Sequence, residues 1–101
     1  MNIQITNENG IVTLQPAGWL DTTTSPELGA AIDAVEAATE LVLDFEKVEY
    51  MSSAGLRQVV SANSKARTLG AAFRVIRVIP AVMSIFKMTG IDQKLDIQPL
   101  E

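Results

Sequence analysis

The fold of this chain is decided by one stretch of sequence, Leu41-Val42-Leu43-Asp44-Phe45-Glu46-Lys47-Val48-Glu49-Tyr50-Met51-Ser52-Ser53-Ala54-Gly55-Leu56. Its first three residues are apolar without alternation, which predicts a central β-strand that is covered on both faces. Two covered faces imply helices on both sides of the sheet, or a partner. The two serines precede a helix, because apolar residues keep helical spacing from Leu56 until Gly70 supplies a C-terminal stop.

The segments before this stretch predict a hairpin and a helix. Residues 2–6 and 12–15 alternate between polar and apolar side chains, and Asn9-Gly10 between them is typical of a turn with positive φ. A helix is expected to begin at Thr24 or Ser25, either of which can cap it. The apolar face of this first helix has the spacing i, i+3, i+4 and i+7, at Leu28, Ala31, Ile32 and Val35.

The segments after the second helix complete an alternating pattern. The β-branched run Phe73–Val78 predicts a strand, Pro80 opens a third helix that Gly90 ends, and Leu95–Gln98 adds a last strand. The predicted order is β-β-α-β-α-β-α-β, in which strands after the hairpin are parallel neighbours joined by right-handed crossovers. We therefore predict a single α/β domain over residues 1–101, with a mixed β-sheet and helices packed on the sheet.

The composition argues against most enzyme classes. The chain has no cysteine and no histidine, so the usual neutral-pH base and the softest nucleophile are both missing. Neither a GxxxxGK[ST] loop nor a GxGxxG loop is present to hold a phosphate group of a cofactor. We expect no catalysis, no cofactor and no metal site, with a Ser-Lys or carboxylate pair as the remaining enzymatic possibility.

Charge is distributed unevenly along the chain. The net charge is −4, but all Lys and Arg residues lie from Lys47 onward, so the acidic first part would repel nucleic acid. A protein partner with basic groups is the more natural complement. The N-terminus lacks the basic start and apolar stretch of a secretion signal, and no apolar run approaches ~18 residues. These features predict a cytoplasmic protein without direct membrane insertion.

Three stretches resemble the STAS domain family, which is named for sulfate transporters and anti-sigma factor antagonists. Ser52-Ser53-Ala54-Gly55-Leu56 follows an apolar strand, where the family has Asp-Ser-Ser/Thr-Gly-Leu. Gly18-Trp19-Leu20-Asp21 is similar to its Gly-x-Leu-Asp, and residues 79–90 are similar to its later helix. The three stretches occur in the right order over essentially the whole chain, and the resemblance is specifically to the free-standing bacterial antagonists.

This resemblance implies a function and an acceptor residue. In the antagonists, the serine two places before the motif glycine is phosphorylated by an anti-sigma factor that is also a serine kinase, and the matching residue is Ser53. The unphosphorylated antagonist binds that kinase and frees the sigma factor, and a phosphatase later restores the antagonist. Ser52 stands where the family usually has Asp, and Ala54 where it usually has Ser or Thr.

Each site residue also has a purely structural interpretation. Ser52 and Ser53 are suited to cap the second helix, and a capping serine can also accept a phosphate. Asp21 is either a turn or cap carboxylate, or a group that orients the kinase or the acceptor hydroxyl. Met83 and Lys87 are expected on the outer face of the third helix, as contacts for a partner groove or as tolerated surface residues.

The expected position of the acceptor follows from the order of the strands. Loops that follow parallel strands gather at one edge of a sheet, so Ser53 is expected to be exposed at the start of the second helix, close to Asp21. Two further hypotheses stay open. One is an unphosphorylated STAS scaffold or transporter-associated subunit, and the other is an unrecognised enzyme.

Overall fold

The computed structural model describes the chain from Met1 to Glu101 and confirms the α/β fold class. Six strands, three α-helices and one short 3-10 helix follow each other as β1 (Asn2–Glu8), β2 (Ile11–Leu20), α1 (Ser25–Asp33), β3 (Glu40–Asp44), β4 (Val48–Met51), α2 (Ser53–Leu69), β5 (Ala72–Val78), α3 (Pro80–Thr89), the 3-10 helix (Ile91–Gln93) and β6 (Ile97–Pro99). None of the helices combines the length and the apolar character that a membrane crossing requires.

The sheet is mixed and runs in the order β1-β2-β3-β5-β6. Strands β1 and β2 form an antiparallel hairpin whose turn residues, Asn9 and Gly10, have φ values of 55° and 88°. Positive φ at both positions gives the turn a twist that matches that of the paired strands. Strands β3, β5 and β6 are added in parallel, as the alternation of strands and helices predicts.

Strand β4 is missing from the predicted order. It pairs in parallel only with the end of β2, at Gly18–Leu20, while the first part of β2 pairs with β3. Only Val48 and Met51 of its four residues are buried, with two exposed residues between them, so the sequence shows no alternation. The segment that joins β3 to α2 is therefore a strand and not only a loop.

All three helices pack on the same face of the sheet. Residues of α1, α2 and α3 share one buried cluster with Leu41 and Leu43 of β3, whereas Val42 is only 2% exposed yet lies outside that cluster. Neighbouring side chains alternate between the two faces of a strand, so Val42 points to the opposite face. Its register neighbours there are Thr13 and Arg74. Of the two predicted alternatives, helices on both faces is therefore wrong, since the three helices share one face, and the alternative of a partner stays a prediction.

The face without helices carries a buried carboxylate. Asp44 is 4% exposed and accepts hydrogen bonds from the Arg77 guanidinium, and from Gln15 Nε2 at 3.0 Å. Arg77 also pairs with Glu46 at 3.1 Å, and its backbone has a left-handed φ of 55° where the register between β5 and β6 shifts. Burial raises the pKa of Asp44, but the hydrogen bond from Arg77 and further donors outweigh it, so the pKa lies below 3.8.

Helix α1 ends earlier than its apolar spacing predicts. Its last residue is Asp33, and Val35 lies beyond the helix, where its N–H donates to the Ile32 carbonyl at 3.1 Å. Val35 is nevertheless 8% exposed and belongs to the core. The apolar pattern thus identified the buried residue correctly but not the end of the helix.

Candidate phosphorylation and partner-binding site

The end of β2, the end of β4 and the start of α2 meet at one edge of the molecule. Leu20 and Met51 are register partners, and the Leu20 carbonyl accepts a hydrogen bond from the Ser52 N–H at 2.9 Å. Asp21 follows Leu20 directly, and Ser53 follows Ser52. Pairing between β2 and β4 therefore brings together the two stretches that the sequence singles out.

The two serines occupy different positions at the start of α2. Ser52 is the N-cap with an extended backbone, and its Oγ accepts a hydrogen bond from the Gly55 N–H at 3.5 Å. Its carbonyl accepts the first helical hydrogen bond, from the Leu56 N–H at 3.0 Å. Ser53 is the first residue of the helix and is exposed. Capping is thus performed by Ser52, and the exposed hydroxyl of Ser53 is not needed for it.

Gly55 allows the first turn of α2 to lie directly against the strands. A Cβ atom at this position would lie 2.8 Å from Leu20 Cγ, from the Leu20 carbonyl oxygen and from Met51 Cγ. Such distances are too short for carbon atoms in a packed interior, so only glycine fits without a shift. The motif glycine therefore has a steric role, which is to hold the helix start that carries Ser53.

The carboxylate of Asp21 is engaged by its own turn. Its Oδ1 accepts hydrogen bonds from the Thr23 and Thr24 N–H groups at 3.0 and 3.1 Å, and the Asp21 N–H donates to the Thr24 hydroxyl at 2.9 Å. The bond from the Thr24 N–H has the largest effect on the Asp21 carboxyl, and the pKa of Asp21 lies below 3.8 although burial opposes this. This geometry favours the turn interpretation of Asp21 over a role in orienting the acceptor hydroxyl.

The start of α1 uses that turn in place of a direct cap. Thr24 occupies the N-cap position, but its side chain makes no cap hydrogen bond to the helix, and Pro26 lies in the first turn. Ser25 is buried, at 2% exposed, and its hydroxyl has no hydrogen-bond partner. Neither of the two predicted capping residues therefore caps with its side chain, because Asp21 holds the turn from outside the helix.

Two exposed aromatic rings that the sequence analysis missed lie at the same edge. Trp19 on β2 and Tyr50 on β4 are register partners, with ring centroids 5.2 Å apart and planes inclined at 45°. They are 61% and 44% exposed. Tyr50 lies on β4, a strand that the sequence analysis did not predict. Its pairing with Trp19 could have been predicted only if that strand had been identified. Exposed Trp and Tyr are typical of the centres of protein interfaces.

The residues proposed on α3 have separate surroundings. Lys87 is exposed as predicted, whereas Met83 is only partly exposed, because it packs against the core as well as lining a surface groove, so it is not the exposed methionine that was predicted. Both residues line a groove of about 520 Å³ between α3 and the C-terminal residues, which Ser53 does not line. The exposed methionine of this helix is Met88, at 85%. Residues three and four apart lie on one helix face, so Met83 lies on the same side of α3 as the buried Phe86.

The fold and this edge define an α/β domain that presents an exposed serine at a helix start, beside a pair of exposed aromatic rings. The profile of the STAS domain matches residues 2–101. The chain therefore belongs to the STAS domain family.

Solved structures of several other proteins share this fold. An anti-sigma factor antagonist from Mycobacterium paratuberculosis is 27% identical, with a TM-score of 0.88 over 97% of this chain and 85% of that one. The Bacillus cell fate determinant SpoIIAA in its phosphorylated form is 18% identical, with a TM-score of 0.73 over 95% and 90%. A sulfate transporter family protein from Wolinella succinogenes is 12% identical, with a TM-score of 0.79 over 92% and 80%. The last two likenesses show the fold alone.

Proposed function

We propose that the protein is an anti-sigma factor antagonist that acts in the cytoplasm as a protein-binding switch, without catalysis of its own. Its unphosphorylated form binds an anti-sigma factor that is also a serine kinase, and the sigma factor is thereby released. Phosphorylation of Ser53 by that kinase ends the binding, and a phosphatase restores the active form. The observation that carries the proposal is the exposure of Ser53 at the family's acceptor position, while Ser52 provides the cap.

The physical effect of a phosphate on Ser53 is local. It adds about −1.5 to −2 charges at neutral pH, next to the positive end of the α2 dipole, which favours an anion by about 0.3–1 kcal/mol. The ionised Asp21 at the same edge opposes it. The two effects offset each other within the domain, so the fold tolerates the modification. A partner that binds over Ser53 would contact a bulky dianion, and a closely packed interface has no space for it. Phosphorylation therefore weakens partner binding.

The acceptor assignment is tested by incorporation of labelled phosphate. The protein is incubated with ATP and a cognate anti-sigma factor serine kinase, and label is expected on wild type but not on the Ser53→Ala variant. Ser61→Ala is the matched control, because Ser61 is an exposed serine two turns further along the same helix. Label that persists in Ser53→Ala contradicts the assignment, and label that is lost only in Ser52→Ala moves the acceptor by one position.

The switching step is tested by comparing stability with affinity. We expect phosphorylation to shift the melting temperature by only a few degrees and to weaken kinase binding at least tenfold, which is about 1.4 kcal/mol. Unfolding on phosphorylation contradicts the local mechanism. An unmodified protein that binds transporter components in place of a kinase supports the alternative of an unphosphorylated scaffold, a branch represented by the sulfate transporter family protein of the same fold.

A further inference from the structure

Arg57 is a cation near the start of α2 that has no anionic partner. The ion pairs of the structure join the Met1 amino group to Glu27, Arg74 to Glu40, and Arg77 to Asp44 and Glu46, and none includes Arg57, which is exposed. The first turn of α2 also contains no acidic residue. Anions stabilise the start of a helix and cations do not, so the unphosphorylated helix start lacks a negative charge that Arg57 could pair with.

The spacing of Arg57 matches the proposed acceptor. Residues four apart on a helix lie on the same face, and Arg57 follows Ser53 by four positions, a rise of about 6 Å along the axis. The other cations of α2, Lys65 and Arg67, lie about 18 and 21 Å from Ser53 in rise. Among the cations of this helix, only Arg57 reaches a group attached to Ser53.

We propose that Arg57 binds the phosphate group of phosphorylated Ser53 and holds it against the start of α2. The inference rests on the proposed function, since it concerns the phosphate that the switch would carry. A guanidinium group presents a planar pair of N–H donors that suits two phosphate oxygens, which an ammonium group does not. Asp21 follows β2 at this edge and Glu49 lies on β4, and both are carboxylates that repel a phosphate. Arg57 therefore adds to the helix dipole in offsetting that repulsion.

This contact gives the switch a second consequence. In the unphosphorylated form the guanidinium of Arg57 is free to pair with a carboxylate of the bound partner. In the phosphorylated form it is occupied by the phosphate on its own helix. Phosphorylation of Ser53 thus fills the space at the interface and withdraws a cation from it at the same time.

The test uses phosphoserine installed at position 53 during translation, so that no kinase is needed. The second ionisation of the phosphate is followed by ³¹P NMR in the full chain and in the Arg57→Gln variant. An isolated phosphoserine titrates near pH ~6, and Arg57 favours the dianion, so we expect the phosphate pKa to be about 0.5 lower with Arg57 present than in Arg57→Gln. The Arg57→Lys variant is expected to fall between them.

The controls separate this contact from general electrostatics. Arg67→Gln removes a charge from the same helix at a distance, and it is expected to leave the phosphate pKa unchanged. Raising the salt concentration to ~1 M should shrink the difference between wild type and Arg57→Gln, because the pair is exposed to solvent. Equal pKa values in wild type and Arg57→Gln, or an equal rise in Arg67→Gln, overturn the inference. Either result leaves the kinase assay on Ser53 unaffected, and failure of that assay leaves this titration intact.

Discussion

Replacing Gly55 with alanine tests whether close packing of α2 on the strand ends supports the site. The added methyl group meets three atoms at 2.8 Å, and one of them, the Leu20 carbonyl oxygen, belongs to the backbone and cannot rotate away. Inserting a methyl group into a packed site costs about 1–3 kcal/mol. Alanine is favoured over glycine inside a helix by about 1 kcal/mol. Because the obstacle is rigid, we expect a net loss of about 1–2 kcal/mol in the free energy of unfolding.

Gly29 provides the matched control, since it is the helical glycine of α1. A methyl group there meets the Gln58 side chain, whose Oε1 is the nearest atom at 2.9 Å. This is the far end of a flexible side chain, which can rotate toward solvent. The higher helix propensity of alanine then determines the change in the free energy of unfolding. Gly29→Ala is expected to be neutral or to stabilise the protein by up to ~1 kcal/mol.

Thermal and urea unfolding, followed by circular dichroism, measure both variants under the same conditions. For a domain of this size, ~1–2 kcal/mol corresponds to a fall of roughly 4–16 °C in melting temperature for Gly55→Ala, with no fall for Gly29→Ala. If Gly55→Ala is as stable as Gly29→Ala, the contact with the Leu20 carbonyl is not rigid. The argument that Gly55 fixes the position of Ser53 would then fail.

Three further predictions address the carboxylates and the exposed tryptophan. Because the pKa of Asp44 is lower in the folded protein, its contribution to stability is present above pH ~3.8 and is lost as the pH falls through the folded pKa. Asp44→Asn should cost about 1–3 kcal/mol at pH 7, because it removes the charge from the hydrogen bonds that Asp44 accepts from Arg77 while the pair of Arg77 with Glu46 remains, and it should make stability less dependent on pH in acid unfolding. Asp21→Ala should lower the melting temperature by a few degrees while Asp21→Asn, which keeps an Oδ1 acceptor, should not; equal stability of the two variants contradicts the turn role. Trp19→Ala should leave the melting temperature almost unchanged, because the residue is 61% exposed. The same variant should weaken kinase binding at least tenfold. An unchanged affinity would place Trp19 outside the interface.

The sequence contained enough local information to predict most of the elements. The turn at Asn9-Gly10 and the helix ends at Gly70 and Gly90 were all correct, and all these positions have positive φ in the structure. The backbone conformation can be predicted at such positions because few residue types adopt positive φ without strain. The exposure of Ser53 was predicted from a different signal, its position just before the helical spacing that begins at Leu56, and it is correct.

The errors arose where tertiary contacts decide the structure. Val42 is buried on a sheet face that carries no helix, between register neighbours on β2 and β5, so an unbroken apolar run does not show that helices cover both faces. Strand β4 depends on pairing with the end of β2, and its outward Tyr50 conceals the pattern. Met83 is partly buried because it packs against the core, which depends on the docking of α3. Local residue preferences do not determine the covering of Val42, the pairing of β4 or the burial of Met83.

The serine at position 52 affects the electrostatics of the proposed acceptor site at Ser53. The family usually has Asp at this position, and Asp and Ser are comparable N-caps because either side chain accepts from an N–H in the first turn. Here Ser52 keeps that bond, to the Gly55 N–H, without adding a negative charge. A phosphate on Ser53 therefore meets one carboxylate fewer at the adjacent residue, and Arg57 lies one turn away on the same helix. The replacement preserves the helix start that Gly55 holds and makes it more favourable for a dianion, so substitution of Asp by Ser at the cap is compatible with phosphorylation of the residue that follows.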